Sequence, residues 1–206
     1  MEANLLSFDS VKMQRYRVFK HTILVLALLL EVSVGVGQVS DDFADGDFSV
    51  DPIWQGDDAN FMVNPDGQLQ LDATEAGQSY LSTSFSEISL DDKEWMFWIK
   101  QSFSGSDNNH GRIYLANTSA DLSYAVGNGA PGTGYFLLFG EGGSDDAITL
   151  YRNDGIDTSP TEICSGTPGL IAGSFELRVL VRRDDVGNWE IYVDPTGGIA
   201  FTLDSS

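Results

Sequence analysis

Between residues 174 and 194 the chain alternates apolar and polar positions in two runs separated by a turn. Phe175, Leu177, Val179 and Val181 share one parity; Glu176, Arg178 and Arg182 share the other. Beyond the turn, Trp189, Ile191 and Val193 alternate with Glu190, Tyr192 and Asp194. A strand points successive side chains to opposite faces, so this period of two predicts two half-buried strands joined as a hairpin. Residues 184–188 supply the turn. Gly187 tolerates positive φ, and Asp and Asn side chains bond the local backbone there. Leu180 interrupts the polar parity, so that face is not wholly wet at this point.

Short apolar runs separated by turn residues continue through the chain from residue 38. Runs 60–63 and 68–71 flank Pro65-Asp66-Gly67, a strong turn sequence. Run 79–85 alternates around Tyr80 and Leu81. Run 94–103 carries aromatic residues on both parities, which predicts a strand covered on both faces or lying under a groove. Further runs stand at 112–116, 134–140, 147–152, 162–164 and 200–203. About a dozen short strands at roughly 8–12-residue spacing is the signature of a sandwich or barrel. No window after residue 37 shows a helical apolar stripe, and no Pro/Ser-rich spacer divides the chain. Residues 38–206 therefore read as one all-β domain.

The first 37 residues have a different pattern. Basic residues run up to Lys20, an apolar stretch covers 22–30, and small residues stand at Gly35 and Gly37. That order is the order of a secretory signal. A spanning helix needs about 20 apolar residues; this stretch is shorter and ends at Glu31. A cleaved signal over residues 1–37 is the expectation, with a retained anchor as the alternative, and it places the domain outside the cell or on its outer surface. At the other end, residues 202–204 read as a strand in progress that Ser206 stops. The chain is thus expected to be truncated at its C-terminus, with further modules of the same protein beyond Ser206.

Charge narrows the partners. The net charge is −20, and 28 of the 31 Asp and Glu but only seven of the 11 Lys and Arg lie after residue 37. That field repels a phosphate backbone and an anionic membrane, which excludes nucleic acid as the expected partner. It also raises the question of calcium, a hard cation that takes oxygen ligands. Asp41, Asp42, Asp45 and Asp47 crowd the start of the domain, and Asp145 and Asp146 follow a glycine pair. The first four are the candidate calcium ligands; exposed turn carboxylates explain the same residues. Cys164 is the only cysteine, so the fold has no internal disulfide, and the thiol reads as a small buried residue.

Catalytic chemistry is poorly represented. Glycoside hydrolysis needs two carboxylates about 5–5.5 Å apart for retention, or about 6.5–9.5 Å for inversion. Glu190 and Asp194 share a strand face but stand about 13 Å apart at the usual rise. His110 is the only histidine after residue 37, and its neighbours have turn composition. The aromatic residues point instead to sugar stacking, for which Trp54, Trp98, Tyr124, Tyr151 and Tyr192 are candidates. If Trp95, Phe97 and Ile99 face the core, Trp98 and Lys100 face outward. Trp98, Lys100, Tyr151 and Tyr192 are the expected ligand-binding residues, with packing alone as the competing explanation for each.

Several motifs carry a family resemblance. They are Asp41-Asp42-Phe43, Asp45-Gly46-Asp47-Phe48, Pro52 with Trp54, Gln68-Leu69-Gln70-Leu71, and Ser79-Tyr80-Leu81-Ser82. Trp95-Met96-Phe97-Trp98-Ile99-Lys100, residues 135–143, Ser144-Asp145-Asp146-Ala147-Ile148, Arg152-Asn153-Asp154-Gly155 and Asp194-Pro195-Thr196-Gly197-Gly198 complete the set. Together they resemble the first domain of large secreted proteins of Bacteroidetes-type bacteria that often carry a lamin-tail domain. The resemblance spans nearly all of residues 41–206. It implies a two-sheet antiparallel β-sandwich, a jelly roll of the concanavalin A-like or laminin-G-like kind, and no particular activity.

The function expected from the sequence is an exported, non-catalytic binding module that recognises polysaccharide or a cell-surface component. A structural or adhesin spacer with no glycan ligand is the alternative, and a glycoside hydrolase with dispersed carboxylates is a third reading.

Overall fold

The computed structural model describes residues 39–86, 89–125 and 127–206. The signal segment expected over residues 1–37 lies outside the described residues. Among the described residues twelve strands follow in order. They are β1 (Gln55–Gly56), β2 (Phe61–Val63), β3 (Leu69–Leu71), β4 (Leu81–Ser82), β5 (Lys93–Gln101) and β6 (Gly111–Asn117). Then come β7 (Gly134–Phe139), β8 (Thr149–Asn153), β9 (Thr161–Ser165), β10 (Phe175–Arg183), β11 (Trp189–Asp194) and β12 (Thr202–Ser205). A short 3-10 turn at Asp58–Asn60 precedes β2. The chain is all-β and β-sandwich-like, as the spacing of its apolar runs predicts.

Four antiparallel sheets result. One has the order β12-β11-β10-β5 and another the order β6-β7-β8-β9; β1 pairs with β4, and β2 with β3. The β10–β11 hairpin forms where the alternation places it. Its turn is held by Asp184, whose Oδ1 accepts the Val186 amide at 3.0 Å and the Asn188 amide at 2.8 Å. Gly187 there has φ of 94°, which a side chain would strain.

The two four-stranded sheets share one core. From the first, Phe175, Leu177, Val179, Val181, Trp189, Ile191 and Val193 point inward, with Trp95, Phe97 and Ile99 packed against them. From the second come Leu115, Leu137, Phe139 and Leu150. Aromatic rings cross between the sheets. Tyr135 meets Trp189 at 4.7 Å between centroids, and Phe139 meets Phe97 edge-on at 6.1 Å. Such pairs add about 0.5–1.5 kcal/mol each beyond the burial of their area.

One side of the sandwich is tied by polar groups. Ser205 Oγ donates to the Ser165 carbonyl at 2.9 Å, and Asp204 Oδ1 accepts the Thr167 amide at 3.0 Å. A Cβ at Gly166 would stand 1.9 Å from Asp204 Oδ2, so a side chain there would displace the carboxylate that holds Thr167. Asn153, fully buried, holds the loop before β7 to the end of β8. Its amide nitrogen donates to the Ala130 and Gly132 carbonyls and to Asn117 Oδ1, each at 3.0–3.1 Å.

Ile191 is fully buried, whereas Leu203 on the neighbouring strand is 55% exposed. Ile191→Ala is expected to lower the unfolding free energy by about 2–5 kcal/mol, and Leu203→Ala by at most about 0.5 kcal/mol. Urea denaturation of the two variants measures both.

Candidate functional site

The register of the β12-β11-β10-β5 sheet sorts its residues into inner and outer rows. Val179 pairs with Phe97 and Val193, and these face the core. The next row, on the outer face, runs Met96–Leu180–Tyr192–Leu203 across all four strands. Met96 is 58% exposed and Leu203 55%, while Leu180 between them is 9% exposed. Leu180, which broke the sequence alternation, is thus the centre of an apolar band on the outer face. A register shift between Ile191 and Tyr192 sits in this row, and a bulge of that kind bends the strand and re-aims a side chain.

Polar rows flank the band. On one side Trp98 pairs with Arg178, and Arg178 with Asp194; beyond them Lys100 pairs with Glu176. On the other side lies the row Glu94–Arg182–Glu190. Lys100 Nζ stands 3.2 Å from Glu176 Oε2, with both side chains about half exposed. Tyr192 donates its hydroxyl to Glu190 Oε2 at 2.9 Å, and the Arg182 guanidinium lies 5.3 Å from the Tyr192 ring. Two half-buried aromatic rings, Trp98 and Tyr192, therefore share a solvent-facing surface with donors and acceptors of both charges. Strand spacing and rise put the two positions about 12 Å apart.

The Asp194-Pro195-Thr196-Gly197-Gly198 motif folds over one end of this face. Asp194 is 2% exposed. Its Oδ1 accepts from the Thr196 amide at 2.8 Å and the Thr196 hydroxyl at 2.6 Å, and its Oδ2 accepts the Ala200 amide at 2.7 Å. The Thr196 hydroxyl, then the Thr196 and Ala200 amides, hold the Asp194 carboxyl below the usual carboxylate range. Gly197 has φ of 73°, and a Cβ there would stand 3.2 Å from Trp98 Nε1, so the turn backbone lies against the indole. Arg178 Nε donates to the Gly197 carbonyl at 3.2 Å. Asp194 is thus engaged as a turn cap and is not free to act as a carboxylate partner for Glu190. At the opposite end, Glu94, Arg182 and Glu190 line a cavity of about 840 Å³ that also touches Arg183, Trp189 and Cys164. Burial pushes the Cys164 thiol above its ordinary value, which leaves it a poor nucleophile.

The structure does not bring all four expected ligand residues together. Tyr151 lies on the other four-stranded sheet, in the outer row Tyr114–Phe136–Tyr151–Glu162. Phe136 packs 5.0 Å from Tyr114 and 5.5 Å from Tyr151, and is 1% exposed. The Arg112 guanidinium lies 3.5 Å from the Tyr124 ring and 4.6 Å from that of Phe136. His110, read from sequence as a loop residue, stacks on Tyr124 and shares a 3.1 Å hydrogen bond with its hydroxyl. Burial raises the pKa of both Tyr114 and Tyr151. This cluster packs on itself, and sequence reasoning missed most of it. The signal was present in residues 134–140, whose apolar run on both parities requires cover on both faces.

Asp41, Asp42, Asp45 and Asp47 serve the local backbone. Each accepts an amide two residues on: Phe43 at 2.9 Å, Ala44 at 3.1 Å, Asp47 at 3.0 Å and Ser49 at 2.6 Å. These are Asx turns, the habit that makes Asp a loop residue. Asp41 Oδ2 also accepts Trp54 Nε1 at 2.8 Å, which fixes the indole beside Phe43. Among the described residues no group of three or more His, Cys, Asp or Glu side chains is gathered to hold a metal.

Because the folded pKa of Asp194 is depressed, its contribution to stability is complete above the unfolded value of about 3.9 and is lost as pH falls through the folded value. Asp194→Asn is expected to lower the urea midpoint at neutral pH, since its amide nitrogen would face a backbone donor. The gap to the unsubstituted protein should narrow below about pH 4. Urea midpoints across the acid range measure it.

No protein-family model, no curated protein and no solved structure matches the chain.

Proposed function

We propose that residues 38–206 form an exported, non-catalytic module that binds polysaccharide on the outer face of the β12-β11-β10-β5 sheet. The observation that carries this reading is the strand register, which sets Trp98, Lys100 and Tyr192 on one solvent-facing side, Tyr192 within the Met96–Leu180–Tyr192–Leu203 band and Trp98 and Lys100 in the rows beside it. Sugar rings stack on flat aromatic faces, and their hydroxyls need donors and acceptors nearby. Two aromatic positions about 12 Å apart suit an oligomer rather than a single sugar. The net charge of −20 disfavours a polyanionic glycan, so the ligand class is a neutral polysaccharide.

The finer fold belongs to the same proposal. The chain leaves the first sheet after β5, runs a four-strand meander through β6, β7, β8 and β9, and returns at β10. Two packed antiparallel sheets with the chain crossing between them support a sandwich of the concanavalin A-like kind, and with it the kinship to the first domain of Bacteroidetes-type secreted proteins; a jelly roll is the finer topology proposed. The basic, apolar and small-residue order of residues 1–37 supports export. The competing reading is a spacer that packs its apolar band against a neighbouring module; the exposed Met96 and Leu203 favour it.

Retention of the purified protein on a panel of insoluble and soluble polysaccharides tests the proposal. One class of neutral glycan is expected to retain it, and Trp98→Ala to weaken binding about tenfold or more, equivalent to at least ~1.4 kcal/mol. Loss on Tyr151→Ala with Trp98→Ala unaffected would move the site to the other sheet. No retention by a folded sample would leave the spacer.

A further inference from the structure

The loop joining β7 to β8 contains a carboxylate whose situation needs explaining. Asp146 is 6% exposed, and neither of its carboxylate oxygens has a hydrogen-bond partner. An isolated buried carboxylate is costly, and native proteins pair it, protonate it or give it to a metal. Swinging out to water is opposed by the backbone, because the Asp146 carbonyl accepts the Gly169 amide at 3.1 Å and the Ile171 amide at 3.3 Å. Fully buried Ile171 belongs to the core, so the loop is tied to the sandwich.

Among the described residues, no cation is among the groups that shift the Asp146 carboxyl. Every arginine of the described residues, and Lys100, bonds or stacks elsewhere. Lys93 stands opposite Arg183 at the start of β5. The neighbour of Asp146 is a second carboxylate, Glu141. Burial pushes the Asp146 carboxyl above the usual carboxylate range; the Glu141 amide, beside it but outside hydrogen-bond geometry, pulls it back, and the Glu141 charge adds to the rise. The loop thus poses two problems, the unpartnered buried carboxylate of Asp146 and its repulsion by Glu141. A cation bound to both groups removes both problems at once.

We propose that Asp146 and Glu141 hold a divalent cation, with calcium the ion best suited to their oxygens. Two carboxylates make a modest site, and calcium completes its shell with backbone carbonyls and water. The loop, residues 140–146, is rich in glycine and so offers unshielded carbonyls. The site is independent of the glycan face on the opposite sheet, and either can fail without the other.

Calcium titration of the chelator-stripped protein, followed by calorimetry, tests the proposal. One calcium per chain is expected, with a Kd of about 10⁻⁴–10⁻³ M. Asp146→Asn should weaken binding at least about tenfold and abolish the calcium-dependent rise in melting temperature. Glu141→Gln, at a half-buried loop position, is the variant to use if Asp146→Asn does not fold, and it should also weaken binding. Asp145→Asn, exposed and adjacent, should bind as the unsubstituted protein does. Absence of saturable binding would overturn the proposal. So would binding that survives both Asp146→Asn and Glu141→Gln, or that is lost on Asp41→Asn instead.

Discussion

The structure depends on the contact between the inner faces of its two four-stranded sheets. Val179, Val181 and Ile191 are completely buried there, facing Leu137, Phe139 and Leu150, which are equally buried. Each strand is too short to be stable alone, and each sheet has one face that water cannot solvate favourably. Packing those faces together fixes the parity of every strand in the core. Once Val179 points inward, Leu180 and Arg178 must point outward, and the register carries that choice to β5 and β11. The outer rows are therefore a consequence of the core, and the candidate site is built by the interior it does not touch.

This explains how far the sequence could be read. The β10–β11 hairpin was legible because its alternation is nearly unbroken and its turn holds Asp184, Gly187 and Asn188 at usable positions. The outward placement of Trp98 and Lys100 followed from the same parity. Pairing across sheets was not legible. Tyr151 and Trp98 look alike as exposed aromatic residues in strands, yet strand order puts them on different sheets. Long-range register is a property of contacts between distant residues, and no local pattern carries it.

Aspartate was the other illegible element. The chain has so many that acidic crowding alone cannot separate roles. Asp41, Asp42, Asp45 and Asp47 make the densest cluster, and their carboxylates cap local turns. Asp194 looked like a strand-face carboxylate and is a buried cap for the turn beside Trp98. Asp146 stood out in sequence only as one of a pair after two glycines, and it is the buried carboxylate without a partner. What distinguishes these residues is which amides approach them, and that depends on loop paths that side-chain type does not specify.

Ligand contacts on the outer rows of the β12-β11-β10-β5 sheet can be located by two-dimensional NMR of the protein titrated with a soluble oligomer of a glycan that retains it. Shift changes are expected at the Trp98 indole N–H and at the amides of Tyr192 and residues 196–200, with the amides of β7 and β8 unmoved. Shift changes confined to the Tyr114–Phe136–Tyr151 row would place the ligand on the other sheet instead.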